Sequence, residues 1–94
     1  MYLVKYSEKA KDHLEKFPKE TIQRIINKIS YYGSQENPLK FAKRIKNTKI
    51  GEFRFRIGDY RAIFDVDYST NPPTITILAI KHRKNVYLRI LSFL

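Results

Sequence analysis

Ninety-four residues, 43% hydrophobic and 30% charged, suffice for one folded domain and exclude a disordered or low-complexity chain. Nineteen Lys and Arg against nine Asp and Glu give a formal charge of +10, which points to a polyanionic partner: nucleic acid, an acidic protein or a membrane surface. With no Cys and only two His, a disulfide framework, a thiolate zinc site, a cysteine nucleophile and a histidine-built metal site are excluded.

The opening residues lack the apolar stretch of a secretory leader, and no apolar run approaches the ~20 residues of a membrane span. A single cytoplasmic domain over 1–94, without cofactor or metal, is the expectation. The segment 2–6 is β-branched and aromatic and predicts a first strand. Ser7 stands as an N-cap with Glu8 in the first turn, and Ala10, Leu14 and Phe17 recur at helical spacing over 8–17. Pro18 suits the first position of a second helix. Ile22, Ile25, Ile26, Ile29 and Tyr32 then form an amphipathic stripe, and Gly33 stands where a C-terminal cap belongs. Core packing accounts for both stripes.

Residues 34–51 read as a connector. Asn37-Pro38 predicts a short helix with Leu39, Ala42 and Ile45 inward and Lys40, Lys43, Arg44 and Lys46 outward, followed by Lys49. No acid occurs from Asn37 to Gly51, so phosphate contact competes with a plain solvated face. The period then changes from helical to two. Phe53, Phe55 and Ile57 alternate with Arg54 and Arg56; Tyr60, Ala62, Phe64 and Val66 alternate with Arg61, Ile63 and Asp65. Gly58-Asp59 between them is a two-residue hairpin turn. Residues 67–73 read as a loop, and 74–80 as a well-covered strand, apolar on both faces. Lys81-His82-Arg83-Lys84 breaks that pattern, and Asn85 caps a last short helix carrying Val86, Ile90, Leu91 and Leu94. The fold class is therefore α+β: a small antiparallel sheet packed with two N-terminal helices and a short C-terminal one.

A two-residue loop sets the register. Ile57 faces Tyr60, Arg56 faces Arg61, Phe55 faces Ala62, Arg54 faces Ile63 and Phe53 faces Phe64. One face is then apolar, and Arg54, Arg56 and Arg61 share the other. Arg56 opposite Arg61 is a like-charge pair that opposes folding unless an anion lies between them. Either Glu52 and Asp65 bridge diagonally to these arginines, or the missing anion is a ligand such as phosphate, which guanidinium groups hold as a fork.

A basic face can also catalyse. RNA carries its own nucleophile, the 2′-hydroxyl, so cleavage needs a stabilised phosphorane and two proton transfers, without a metal. Arginines serve the first need. His82, and Tyr87 four residues after Arg83, are candidates for the second.

These segments together resemble the RelE/ParE superfamily, the toxins of type II toxin–antitoxin pairs. Tyr6-Ser7-Glu8-Lys9-Ala10-Lys11-Asp12 with Leu14 is similar to its strand-to-helix step, and Phe17-Pro18-Lys19 to its helix break. The hairpin from Phe53 to Phe64 resembles its R-x-R-x-G-D-Y-R motif, and His82-Arg83-Lys84-Asn85-Val86-Tyr87 its terminal H-R-x-D-V-Y motif. The resemblance implies the RelE-like fold. It implies a ribosome-dependent endoribonuclease that cuts A-site mRNA, partnered by an acidic antitoxin in a hetero-oligomer. Arg61 matches the arginine at the scissile phosphate, Arg83 the one that stabilises the transition state, and Tyr87 the tyrosine of proton transfer, which His82 could share. Arg54, Arg56, Lys40, Lys43, Arg44, Lys46, Lys49, Lys81 and Lys84 are the expected RNA contacts. Glu52 departs from a position that is often basic, and Asn85 replaces the frequent aspartate. The ParE-like branch poisons DNA gyrase and usually lacks the full arginine–tyrosine set, so the chain resembles the RNase branch more. A catalytically inactive domain that binds nucleic acid or antitoxin is the remaining alternative.

Overall fold

The computed structural model describes residues 1–45 and 50–84. The predicted last helix, with Asn85 and Tyr87, and Lys46 and Lys49 lie outside the described residues. The elements in chain order are β1 (Leu3–Tyr6), α1 (Glu8–Glu15), α2 (Lys19–Ser34), a single 3₁₀ turn (Pro38–Phe41), β2 (Ala42–Arg44), β3 (Phe53–Ile57), β4 (Tyr60–Asp67) and β5 (Thr74–His82). The five strands form one sheet in the order β1-β5-β4-β3-β2. The β5-β4-β3 part is antiparallel, as expected, and β2 extends it antiparallel, but β1 joins β5 in parallel, with Leu3 opposite Thr74 and Tyr6 opposite Ile77. β5 thus has a strand on each side.

The β3–β4 register is the one the sequence predicts, pair for pair, from Ile57–Tyr60 to Phe53–Phe64. Gly58 takes φ +58° in the turn, a left-handed conformation that glycine adopts without the penalty a side chain meets. Phe55, Ile57, Ala62 and Phe64 join Ile25 and Ile29 of α2, Ala10 and Leu14 of α1, and Ile75, Ile77 and Ile80 of β5 in the core. Each such large side chain stabilises by about 1.5–3 kcal/mol on burial. The helices therefore cover the phenylalanine face.

The first helix opens as predicted: Ser7 Oγ accepts the Ala10 N–H at 3.1 Å. It also takes over the β5 edge where β1 ends. Ser7 N–H donates to Ile77 O at 2.9 Å, Ser7 Oγ donates to Leu78 O at 3.3 Å, and Ile80 N–H donates to His13 Nδ1 at 3.1 Å. An imidazole that accepts this bond is neutral at that nitrogen. Burial first, then Lys81, Lys9 and Lys16, hold His13 below the ordinary histidine pKa.

Three local expectations change. Gly33 does not cap α2 but lies buried inside it, with Gln35 at the C-cap. The reason is proximity: a Cβ at Gly33 would stand 2.7 Å from Val4 Cγ2, so β1 and α2 approach closely there. The predicted short helix over Asn37–Lys46 is a 3₁₀ turn followed by β2, whose Ala42, Lys43 and Arg44 oppose Phe55, Arg54 and Phe53. The edge of β3 offers these residues ladder bonds, whereas so short an isolated helix nucleates poorly. Finally, β5 runs through Lys81 and His82 instead of stopping at Ile80, because β4 still faces it: Arg61 opposes Lys81 and Tyr60 opposes His82.

Both the Gly33 contact and the His13 bond can be tested by stability measurements. Gly33→Ala gains about 1 kcal/mol of helix propensity but meets about 1–3 kcal/mol of overpacking against Val4, so denaturant titration should show it neutral to ~2 kcal/mol less stable. In a Val4→Ala background the same change should become stabilising; an equal gain in both backgrounds would disprove the tight contact. For His13 the folded-state pKa is depressed, so the unfolded chain binds more protons. Its stability contribution should be complete above the ordinary histidine pKa of about 6.5 and decline as pH falls below it. Melts across that range should show a larger acid-side loss in wild type than in His13→Gln; identical profiles would remove His13 as the titrating group.

Candidate nucleic-acid interface

The hairpin that packs the core also builds the opposite face. With Phe55, Ala62 and Phe64 turned to the helices, Arg54, Arg56 and Arg61 point to the other side of the sheet. The register extends that basic face over four strands. Lys43 of β2 opposes Arg54, and Lys81 of β5 opposes Arg61. Two cross-strand rows result: Lys43–Arg54, running on to the buried Ile63 and Ala79, and Arg56–Arg61–Lys81.

Arg61 lies at the centre of this field. Its guanidinium is held below the ordinary arginine value by partial burial first, then by the charges of Arg56, Arg54 and Arg83, with Asp59 opposing. Arginine remains cationic at any accessible pH, so the lowering reflects partial burial and neighbouring positive charge rather than deprotonation. The Arg61 side chain folds back on its own turn: Nη1 donates to Gly58 O and Tyr60 O, both at 2.9 Å. Nε and Nη2, the side-on fork of the guanidinium, make no hydrogen bond among the described residues. Among the described residues nothing occupies that edge, whose two donors match two phosphate oxygens.

Glu52 and Asp65 do not neutralise the three hairpin arginines. Glu52 pairs with Arg44 of β2, Oε1 to Nη2 at 2.6 Å, and Asp65 Oδ1 accepts the Glu52 N–H at 2.6 Å. Among the described residues no carboxylate stands within ion-pair distance of Arg54, Arg56 or Arg61. Of the two explanations for the opposed arginines, the diagonal salt network is therefore not the one formed. Arg83 joins the cluster through the hairpin turn. Its N–H donates to Asp59 O at 2.7 Å, and its Nε lies 3.7 Å from Asp59 Oδ1. Asp59, read from the sequence only as a turn residue, anchors Arg83 across 24 positions of chain. No local signal reveals such a contact.

The remaining candidates divide. Arg61, Arg83, Arg54 and Arg56 come together. His82 does not join them: it opposes Tyr60, shares that residue's helix-side face, and sets its ring edge-on to Tyr60 with centroids 5.5 Å apart. Its Nδ1 accepts the Lys84 N–H at 3.3 Å, and Lys84 itself is exposed. Lys40, Lys43 and Arg44 are exposed around the β2 edge of the sheet.

Because Arg56 and Arg61 oppose each other with no carboxylate paired to either among the described residues, relieving the repulsion should stabilise the free protein. Arg56→Gln should gain about 0.5 kcal/mol in denaturant titration at low salt, and the gain should shrink as salt screens the pair. A destabilised Arg56→Gln at low salt would mean that the repulsion is already compensated.

The comparisons agree with this architecture. Residues 4–87 match the family model described as the ParE toxin of the type II toxin–antitoxin system parDE. The chain is 26% identical to Toxin RelG of Mycobacterium tuberculosis over 88 residues, covering 94% of this chain and 98% of that one. Its fold is similar to the toxin–antitoxin complex RelBE2 of M. tuberculosis, with TM-score 0.69, 25% identity, and 87% and 98% of the two chains covered. It is also similar to the archaeal RelE–RelB complex of Pyrococcus horikoshii, with TM-score 0.65, 28% identity, and 87% and 94% covered. A match across the hairpin, both helices and the sheet leaves one conclusion: the chain belongs to the RelE/ParE superfamily and is a toxin of a type II toxin–antitoxin system.

Proposed function

We propose that this toxin is a ribosome-dependent endoribonuclease that cuts mRNA by attack of the 2′-hydroxyl on the adjacent phosphate. The observation that carries the reading is Arg61, held among three other arginines with its fork edge uncommitted and no carboxylate paired to it among the described residues. As the 2′-oxygen attacks, the phosphate gains charge, and donors aimed at it bind that state more tightly than the ground state. Arg61 supplies the fork, and Arg83 supplies a second cation held by Asp59. Proton transfer falls to Tyr87, the counterpart of the family's C-terminal tyrosine, since the His82 ring faces Tyr60 on the other side of the sheet. The Tyr87 phenolate would take the 2′-hydroxyl proton, and its hydroxyl would return it to the departing 5′-oxygen. Arg54, Arg56, Lys43 and Lys81 would steer the RNA backbone, together with Lys40, Arg44 and Lys84; Lys46 and Lys49 extend the same basic run in the sequence. The similar solved structures are toxin–antitoxin complexes, and by charge complementarity an acidic antitoxin would occupy this positive surface in the resting complex.

The test is incubation of the purified toxin with ribosomes carrying a defined mRNA, with mapping of the cut ends. The expected ends are a 2′,3′-cyclic phosphate and a 5′-hydroxyl. Arg61→Ala should slow the chemical step by about 10²–10³, the usual loss for one oxyanion donor, with a smaller effect on ribosome affinity. Tyr87→Phe should cost about 10²–10⁴, the range of a general acid or base. A 3′-hydroxyl product would overturn attack by the ribose, and full activity of Tyr87→Phe would remove Tyr87 from the mechanism. The matching family model is that of the ParE toxin, and the resemblance to the ParE-like branch implies a second reading, inhibition of DNA gyrase without cleavage. Loss of gyrase supercoiling with intact mRNA would establish that reading instead.

A further inference from the structure

A column of aromatic rings runs from the core to the surface at the β2 edge. Phe64 stacks on Phe55 with centroids 4.3 Å apart, Phe55 meets Tyr32 at 4.8 Å, and Tyr32 stacks on Phe41 at 5.2 Å and 22°. Tyr31 closes the outer end, 5.9 Å from Tyr32 and 6.3 Å from Phe41. Phe55 and Phe64 are fully buried, whereas Phe41 is 41% and Tyr31 52% exposed. The 3₁₀ turn and the last turns of α2 thus hold two large rings in solvent, braced from beneath by a stack that ends in the core. Tyr32 Oη also donates to Arg56 O at 3.4 Å, which ties the column to the basic hairpin.

The surroundings are cationic. Lys28 Nζ lies 5.3 Å from the ring centroids of both Tyr31 and Tyr32. Lys40 precedes Phe41 and is exposed, and Lys43, two residues on, already belongs to the arginine face. Stability alone does not call for two exposed rings among lysines. A rigid aromatic surface ringed by cations suits one occupant well: an unpaired nucleotide, its base stacked on a ring and its phosphates against the lysines.

We infer that Tyr31 and Phe41, with Lys28 and Lys40, form a stacking platform for an unpaired nucleotide of RNA, placed around the β2 edge from the arginine face. The inference deepens the nuclease reading and rests on it for the identity of the polymer. It predicts that the toxin grips unpaired RNA at a point separate from the phosphate that reacts.

The experiment uses the full chain carrying Arg61→Ala, so that it accumulates without cutting, and a single-stranded RNA of about 12 nucleotides with methylated 2′-hydroxyls. Tyr31→Ala/Phe41→Ala should bind it about 5- to 100-fold more weakly, the usual loss for stacked bases. The slope of log affinity against log salt should not change, because no phosphate contact is removed. Lys28→Ala/Lys40→Ala should flatten that slope. A duplex of similar length should bind both ring forms alike. Because both rings are exposed, an unchanged melting temperature would confirm that the fold is intact. As the chain has no Trp, Tyr31→Trp supplies a second readout: its fluorescence should be quenched by the single strand and unaffected by the duplex. Undiminished single-strand affinity without the rings, or Tyr31→Trp fluorescence that stays unquenched at saturating single strand, overturns the platform. Release of a co-purified acidic protein by the ring substitutions, with RNA affinity unchanged, assigns the surface to a protein partner and overturns it equally. Absence of ribosome-dependent cleavage by the wild-type chain, with ring-dependent RNA binding intact, would sink the nuclease reading alone.

Discussion

The register of one hairpin governs both faces of this protein. Because side chains alternate with period two, the two-residue turn at Gly58-Asp59 decides in one step which residues of β3 and β4 face the helices and which face outward. A slip of one residue would place Arg54 and Arg56 in the core and Phe53 and Phe55 in water. Each buried aromatic stabilises by a few kcal/mol, and a buried unpaired guanidinium is opposed by more, so no alternative register competes. The core thereby enforces the arginine cluster: the apolar contacts of Phe55 and Phe64 hold Arg56 and Arg61 side by side in spite of their repulsion.

What is legible in the sequence follows from how local each interaction is. The hairpin, its register and its two faces can be read because turn chemistry and alternation are encoded within a dozen residues. The Ser7 cap and the α2 stripe are local in the same sense. β2 cannot be read, since Ala42–Arg44 become a strand only because β3 presents an open edge to them. The parallel docking of β1 depends on β5, about seventy residues away. Gly33 misleads for a related reason: a glycine near a helix end suggests a cap, while its true constraint is Val4 on another element. In the candidate site the three hairpin arginines are legible and the Asp59 anchor of Arg83 is not. His82 sits next to Arg83 in the sequence, yet strand alternation sends the residue at its register position to the other face.

The same geometry links stability to occupancy. A cluster of like charges lowers the stability of the free form, and any anion that fills it binds the folded state alone and raises that stability by mass action. Under the proposed function, RNA and an acidic antitoxin would both act this way on one surface. Competition between them then needs no conformational change, only overlapping charge.

The folding back of Arg61 on its own turn has a consequence for entropy. An arginine side chain carries roughly 2 kcal/mol of rotamer freedom, which a flexible surface residue surrenders when it meets its ligand. Here the carbonyls of Gly58 and Tyr60 hold Nη1 while the chain is folded, so much of that freedom is already gone before an anion arrives. The guanidinium plane is oriented by the turn that sets the register, and the outward fork is presented in a defined direction. A lysine at this position would keep the charge but lose the planar fork and the ability to be held by one edge while offering another. The tight turn therefore acts as a jig for a single cation, and ligand binding begins from an ordered state.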